Sequence, residues 1–216
     1  MLRYQVIPVT PFQQNCTVFW NPDTMKGAVV DPGGDLDVIL KFVDETGITL
    51  EKILCTHGHL DHVGAVAELS QEQSLPIIGP HIEDKFWIDG LPEAAKMFNF
   101  PEGRVFEPDQ WLADGDSVEA AGKVFQVIHC PGHTPGHVVF YQAEDKIAMV
   151  GDVIFQGSIG RTDFPKGNHQ DLIDSITGKL WPLGMETTFV PGHGPTSTFG
   201  QEKLANPFVS DTALGV

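Results

Sequence analysis

The segment THGHLDHVG, at positions 56–64, contains three histidines and one aspartate within six consecutive positions. It follows LEKIL, an apolar run that predicts a buried β-strand. Histidine and aspartate side chains bind divalent metals, but ligands from a single segment leave a metal under-coordinated. Any fold of this chain therefore has to bring further ligands from distant parts of the sequence to the same point.

Three later β-rich runs also end in a loop that carries a metal-ligand side chain. His133 lies in HCPGHTPGH, Asp152 in MVGD and His193 in VPGHG. Loops at strand ends, held by a rigid scaffold, are common positions for binding and catalytic residues. Each of these three alone would be read as an ordinary loop residue, and the first cluster is what makes them candidate ligands.

The spacing inside the first segment divides the candidate ligands into two sets. Residues two apart in an extended loop face the same way, whereas the aspartate and third histidine fall in the first turn of the next helix. The first predicted set is His57, His59 and His133. The second predicted set is Asp61, His62 and His193. Asp152 has two carboxylate oxygens and is predicted to bridge the ions, with a position left for a shared water, as in catalytic sites.

The remaining histidines and the cysteines are predicted to be ordinary residues. The histidines are His81, His129, His137 and His169, of which His137 has a supporting role at the site as its alternative. The cysteines are Cys16, Cys55 and Cys130. Their odd number and spacing fit no zinc finger and indicate free, buried thiols in a reducing compartment.

The order of predicted elements favours two sheets packed together with helices outside. Three strands fill the first thirty residues, DLDVILKFVDETG is helical with Gly47 as its stop, and DHVGAVAELSQEQ predicts one helix. DSVEAAG and KVFQVIHC predict a hairpin, and Asn168 is the predicted N-cap of a later helix. Residues 81–103 are predicted to be an irregular packing insertion with at most a short helix, a cover over a pocket being the alternative.

Composition excludes several classes of partner. The formal net charge is −16, and no basic stripe is available to bind nucleic acid or an anionic membrane surface. No segment approaches eighteen consecutive apolar residues. We therefore expect one domain, residues 1–216, that is cytoplasmic, monomeric or weakly oligomeric, and acts on a small molecule without nucleic acid or membrane partners.

The ligand pattern resembles the metallo-β-lactamase superfamily over nearly the whole chain. THGHLDHVG, CPGHTPGH and GDVIFQGSIGRTDFPKGN are most similar to the glyoxalase II group, the hydroxyacylglutathione hydrolases, and to its short single-domain bacterial YcbL-like members. The resemblance implies an α/β (α+β) fold, a four-layer αββα sandwich, with the same seven residues around two metal ions. It also implies that Arg161 contacts a substrate carboxylate, for which a structural ion pair is the alternative.

The same resemblance implies a metal-dependent hydrolase that cleaves an S-lactoylglutathione-type thioester by attack of a metal-bridging hydroxide. Asp61 and Asp152 would be the catalytic carboxylates, and the cofactor would be two divalent ions, zinc first, with iron or manganese as alternatives. The alternative function is a persulfide dioxygenase with His57, His133 and Asp152 on a single iron. β-Lactam hydrolysis is not expected, because the leaving amine is far more basic than a thiolate.

Overall fold

The computed structural model describes residues 1–101 and 103–215, and Glu102 and Val216 lie outside this range. Among these residues two β-sheets form the body of the protein. The first sheet has the order β1-β2-β3-β4-β5, with β1 Arg3–Val9, β2 Gln14–Trp20, β3 Lys26–Val30, β4 Thr49–Leu54 and β5 Ile77–Ile78. The second has the order β13-β12-β9-β8-β7-β6, with β6 Ser117–Ala120, β7 Lys123–His129, β8 Val138–Gln142, β9 Ile147–Gly151, β12 Thr188–Pro191 and β13 Ser197–Thr198. The short strands β10 Ile154–Phe155 and β11 Ser158–Ile159 form a hairpin.

Helices cover the outer faces of both sheets. They are α1 Leu36–Thr46, α2 Leu60–Val63, α3 Val66–Gln73, α4 Lys85–Asp89, α5 Leu91–Phe98, α6 His169–Asp174, α7 Phe199–Ala205 and α8 Asp211–Leu214. Helix α6 continues as a π-helix over Ser175–Leu180 and a 3₁₀ turn over Trp181–Leu183. As predicted, α1 ends at Gly47 in the left-handed conformation, and the Asn168 side chain caps α6 by accepting from two backbone N–H groups. None of the helices in the described part of the chain is both long and apolar enough to cross a bilayer.

Successive side chains along a strand point to opposite faces of the sheet, and so they belong to different hydrophobic clusters, three of which are present in the described residues. In β2, Val18 belongs to the cluster beneath α1 and α3, whereas Phe19 belongs to the cluster between the sheets. In β8, Phe140 faces that inter-sheet cluster and Val139 faces the cluster beneath α6. Because both faces of each sheet are covered, these two strands are buried at every position. The predicted αββα sandwich is confirmed, and the three cysteines are free and buried within it.

The carboxyl ends of strands from both sheets meet at one edge of the sandwich. Strand β4 is parallel to β3 and β5 in the first sheet, and β9 is parallel to β12 in the second. Hydrogen bonds join the sheets here: Asn15 N donates to the Gly192 carbonyl at 2.7 Å, and Val138 N donates to the Thr56 carbonyl at 2.8 Å. Loops that follow β4, β9 and β12 therefore lie next to one another.

Two sequence predictions need correction. Residues 81–103 do not form an irregular insertion, because a 3₁₀ turn over Ile82–Asp84 and the helices α4 and α5 occupy most of the range, of which Glu102 is not described. Asn99 ends α5 in the left-handed conformation. The single helix predicted over DHVGAVAELSQEQ is two helices, because the chain bends at Gly64 and Ala65, where Ala65 N donates to the Pro32 carbonyl.

The inter-sheet core can be tested with two identical substitutions on β7. Val127 is buried between the sheets, whereas Val124 is 57% exposed. We expect Val127→Ala to lower the free energy of unfolding by about 2 kcal/mol, because buried methyl groups are lost and a cavity remains. Val124→Ala should cost less than about 1 kcal/mol. Urea denaturation of the metal-free protein measures both, and equal losses would contradict the assigned core.

Candidate metal centre

Four loops at the edge where the sheets meet carry the predicted ligands. The loop after β4 with the start of α2 carries His57, His59, Asp61 and His62, the loop after β7 carries His133, and the segments after β9 and β12 carry Asp152 and His193. The structure brings all seven side chains into one region. Their convergence follows from the strand directions: β4 is parallel to β3 in the first sheet, β9 is parallel to β12 in the second, and the ends of these strands share this edge.

Three histidine nitrogens converge in the first predicted set. Nε2 of His57 lies 3.1 Å from Nδ1 of His59, and Nε2 of His133 lies 3.0 Å from the same Nδ1. Asp152 borders this set, because its Oδ2 lies 3.5 Å from Nε2 of His133. Three imidazole nitrogens beside a carboxylate form a donor set that suits zinc and other first-row divalent metals.

The second predicted set combines a carboxylate with two histidines. Asp61 Oδ2 lies 3.2 Å from Nε2 of His193 and 3.9 Å from Nε2 of His62. Asp152 also borders this set, with its Oδ1 3.3 Å from Nε2 of His62 and its Oδ2 3.8 Å from Nε2 of His193. A single carboxylate therefore reaches both sets, as a bridging ligand must.

The buried carboxylate of Asp31 orients one histidine of each set. It accepts hydrogen bonds from the Thr56 backbone N–H at 2.7 Å, from the Thr56 hydroxyl at 2.6 Å and from Nδ1 of His62 at 2.9 Å. Since the Thr56 hydroxyl donates to Asp31, it is free to accept from Nδ1 of His57 at 3.0 Å. Each ring thus holds a proton on Nδ1 and directs Nε2 into the centre.

Backbone carbonyls orient two further rings in the same way. Nδ1 of His133 donates to the Arg161 carbonyl at 2.7 Å, and Nδ1 of His193 donates to the Phe12 carbonyl at 3.2 Å. Neither Asp31 nor Thr56 was singled out from the sequence, although VVDPGG ends a predicted strand with a carboxylate. Such supporting contacts are typical of metal-binding histidines.

The donor atoms fit a cation better than they fit one another. His62 Nε2 and Asp152 Oδ1 are buried and have no partner of hydrogen-bond geometry among the described residues. Nε2 of His57 and of His133 both lie near Nδ1 of His59, which has at most one proton to share between these two acceptors. Unpaired lone pairs among His57, His59 and His133 repel at such short range, and a bound cation removes that cost.

The charge state of the metal-free centre supports the same interpretation. Burial lowers the pKa of His57 far below its usual value and that of His59 to about 3, so both rings are neutral. Burial would raise the pKa of Asp152, but the neighbouring His62 and His133 hold it well below its usual value. Burial also disfavours a charged His62, yet the Asp152 and Asp61 carboxylates raise its pKa well above normal. A proton on His62 occupies the electrostatic position that a metal would take.

Of the four histidines predicted to be ordinary, His137 has the supporting role given as its alternative. It is fully buried, its ring stacks on that of His57 at 4.6 Å, and its Nε2 accepts from the Asp152 backbone N–H at 3.0 Å. This bond fixes the position at which Asp152 leaves β9. The rings of His81 and His129 instead stack on each other, at 4.3 Å.

A cavity of about 440 Å³ opens beside the two sets. His59, Asp61, His133, Asp152 and His193 line its floor. Arg161 also lines the cavity, but its side chain is 68% exposed, and its guanidinium makes a bidentate pair with Asp163 and lies 4.6 Å above the Phe164 ring. In this conformation Arg161 forms the ion pair that was the alternative to a substrate contact, and its carbonyl positions His133.

Asp84, from the segment predicted to be irregular, ties two ligand loops together. Its Oδ2 accepts from Gly58 N and from the Thr134 hydroxyl, each at 2.8 Å, and its Oδ1 accepts from Gly136 N at 2.6 Å. Burial raises the pKa of Asp84 to about 6, against these hydrogen bonds. No sequence motif pointed to this residue, since a single acid in a weakly periodic segment is usually exposed.

We expect Asp84→Asn to destabilise the protein, because one carboxylate oxygen becomes an NH₂ group that faces a donor. The matched control is Asp89→Asn, in which only an exposed pair with Lys85 is lost. The free energy of unfolding of the metal-free protein should fall by about 2 kcal/mol more for Asp84→Asn than for the control. Metal affinity should fall as well. Equal free energies of unfolding for the two variants would refute the role of Asp84 as a clamp, that is, as the residue that joins the two ligand loops.

Comparison with known proteins agrees with this geometry. Residues 9–193 match the family described as the metallo-beta-lactamase superfamily. A Haemophilus influenzae protein named hydroxyacylglutathione hydrolase GloC is 45% identical, over 97% of this chain and 99% of its own. Two solved structures are also similar. The BLEG-1 B3 metallo-beta-lactamase is 35% identical with a TM-score of 0.89, over 96% of this chain and 99% of its own. TTHA1623 in a di-iron-bound form is 36% identical with a TM-score of 0.85, over 94% and 99%.

These matches extend across both sheets and all four ligand loops. The fold, the ligand-bearing loops and the relatives therefore lead to one conclusion: the chain belongs to the metallo-beta-lactamase superfamily and is a metal-dependent hydrolase.

Proposed function

We propose that the protein hydrolyses a glutathione thioester of the S-lactoylglutathione type. The proposal is carried by one observation: two sets of three ligand-type side chains share the carboxylate of Asp152 at the floor of a cavity. A relative named hydroxyacylglutathione hydrolase, similar over nearly its full length, supports the substrate class. We further propose that residues 1–216 act as one domain, as a monomer or weak oligomer, on a small molecule without a nucleic acid or membrane partner.

We propose two divalent ions as the cofactor. One ion would be held by His57, His59 and His133. The other would be held by Asp61, His62 and His193, and Asp152 would contact both ions. Zinc is the first candidate, and iron is supported by the relative that was solved in a di-iron-bound form; manganese also accepts these ligands. Ions in such sites acidify a water molecule and polarise a carbonyl oxygen.

The chain's own carboxylates orient the reactants. In the overall reaction water adds to the thioester carbonyl, the carbon–sulfur bond breaks, and a hydroxy acid and a thiol form. The pKa of Asp61 is lowered by the neighbouring His62 and His193 although burial opposes this, so Asp61 is ionised at the cavity floor and can hold the attacking water. A thiol has a pKa of about 8.5, so its thiolate departs without a dedicated acid.

Arg161 has a proposed role in binding the charged arm of the substrate. Its planar guanidinium already holds the Asp163 carboxylate in a two-bond fork. A carboxylate of glutathione can take the place of Asp163, because the pair is at the surface, where such an exchange costs little.

We expect the metal-loaded protein to hold close to two metal ions per chain and to hydrolyse S-lactoylglutathione equally under air and under nitrogen. Chelation should abolish turnover, and adding back the metal should restore it, because the carboxylates alone cannot make water sufficiently nucleophilic. Metal analysis and release of free thiol measure these two quantities.

If the protein is instead a persulfide dioxygenase, the same experiment should show a different metal content and a requirement for oxygen. One iron per chain, oxygen uptake with glutathione persulfide and no thioester cleavage would reject the hydrolase proposal in its favour. A β-lactam should be a poor substrate even though one relative is named as a β-lactamase, because the leaving nitrogen is far more basic than a thiolate.

We expect His193→Ala to lower the metal content from about two ions per chain to about one, because the first set of ligands remains complete. The value of kcat/KM for S-lactoylglutathione should fall by about 100-fold or more. His169→Ala is the matched control, since His169 is exposed at the start of α6. Unchanged metal content in His193→Ala would contradict the assignment of the second set.

A further inference from the structure

The cavity beside the metal centre has one wall built from apolar side chains. Phe12, Leu91, Ala94 and Phe98 form this apolar wall, in which the rings of Phe12 and Phe98 meet edge to face at 5.7 Å. Phe12 comes from the loop between β1 and β2, and the other three come from α5. Helix α5 lies within residues 81–103, which were predicted from the sequence to be irregular.

The two predicted ligand sets border different chemistry. The Phe12 carbonyl accepts from His193, so the apolar wall adjoins the second set. The Arg161 carbonyl accepts from His133, so the cationic side chain adjoins the first set. Among the described lining residues Arg161 is the only lysine or arginine. Aromatic rings also adjoin the first set, because Trp87 and Phe164 lie 4.4 and 4.8 Å from the His59 ring. What distinguishes the two ends of the cavity is therefore the cation, which a ligand that spans the cavity meets only at the end opposite the apolar wall.

The apolar wall leaves large side chains in contact with solvent. Phe98 is 53% exposed and Phe12 is 46% exposed at the mouth of the cavity. Both rings lie outside the buried core, which is closed beneath α5 by Leu91 and Ala95. Clustered exposed aromatic rings at the mouth of a pocket favour an apolar ligand, because covering them removes apolar surface from water.

We propose that the apolar wall is an acyl subsite, which accepts the hydrocarbon chain of an acyl thioester while the charged thiol arm extends toward Arg161. This inference rests on the proposed thioester hydrolysis and names a substrate class for it: acylglutathiones with an apolar chain in addition to hydroxyacyl ones. Water adds to the carbonyl carbon, the carbon–sulfur bond breaks, the acyl group leaves as a carboxylic acid, and the departing thiolate takes up the second proton of the water.

Chain length should therefore control turnover. Each methylene that leaves water for an apolar surface improves binding by roughly threefold. From acetyl- to butanoyl- to hexanoylglutathione, we expect kcat/KM of the metal-loaded protein to rise by at least about tenfold in total. A polar pocket would give no such trend.

Two substitutions on neighbouring residues of α5 test the position of the subsite. Phe98→Ala removes a ring of the apolar wall and should flatten the chain-length series to less than about threefold. Met97→Ala is the control, because Met97 is 77% exposed and does not line the cavity. Its series should match that of the unaltered protein.

A binding measurement separates the subsite from the chemistry. S-Hexylglutathione and S-methylglutathione are thioethers that cannot be hydrolysed, and calorimetry gives their Kd values with the metal-loaded protein. We expect the hexyl compound to bind at least about tenfold more tightly, and Phe98→Ala but not Met97→Ala to remove the difference.

The outcomes distinguish this inference from the function on which it rests. Turnover of S-lactoylglutathione with no dependence on chain length, and equal binding of the two thioethers, would overturn the acyl subsite and leave the hydrolase intact. Selective binding of the hexyl compound without hydrolysis of any thioester would reject the proposed hydrolysis while supporting the apolar subsite.

Discussion

The hydrogen bonds of the buried Asp31 carboxylate connect the first sheet to both ligand sets. Asp31 accepts from Thr56 and His62, and Thr56 in turn accepts from His57. A buried carboxylate is costly unless its oxygens are satisfied, so these hydrogen bonds are needed for folding as well as for the site. The same hydrogen bonds also place a proton on Nδ1 of each ring. They thus stabilise the end of β4 and orient the proposed ligands His57 and His62.

The rest of the centre depends on electrostatic balance at the sheet edge. Asp61 and Asp152 are held among histidines, and in the metal-free protein these carboxylates raise the pKa values of His62 and His193 although burial opposes this. The cluster is therefore stabilised by protons where metal ions would otherwise sit. Cations that bound to such a centre would displace these protons, and strand ends and the hydrogen bonds of Asp84 already hold the loops in place.

The segment from Ile82 to Phe98 shows where prediction from sequence failed. Its helical pieces are three, five and eight residues long, and periodicity is diagnostic only over windows of about eleven residues or more. The segment nevertheless supplies the Asp84 clamp and most of the apolar wall. Both roles depend on contacts with residues far away in sequence, such as Gly136 and Phe12. Spacing along the chain carries no information about such contacts.

The sequence by itself determined the sandwich, the superfamily and the candidate ligands, because strand alternation and His-x-His-x-Asp-His spacing are local patterns that a short segment contains in full. Only the tertiary structure decided which atoms orient those ligands, through Asp31, His137 and backbone carbonyls. It also decided that Arg161 pairs with Asp163 and that Phe12 meets α5 across the cavity. The physical reason is that hydrogen bonds and packing act over a few ångströms in space, and proximity between loops is set by the sheet edge that they share.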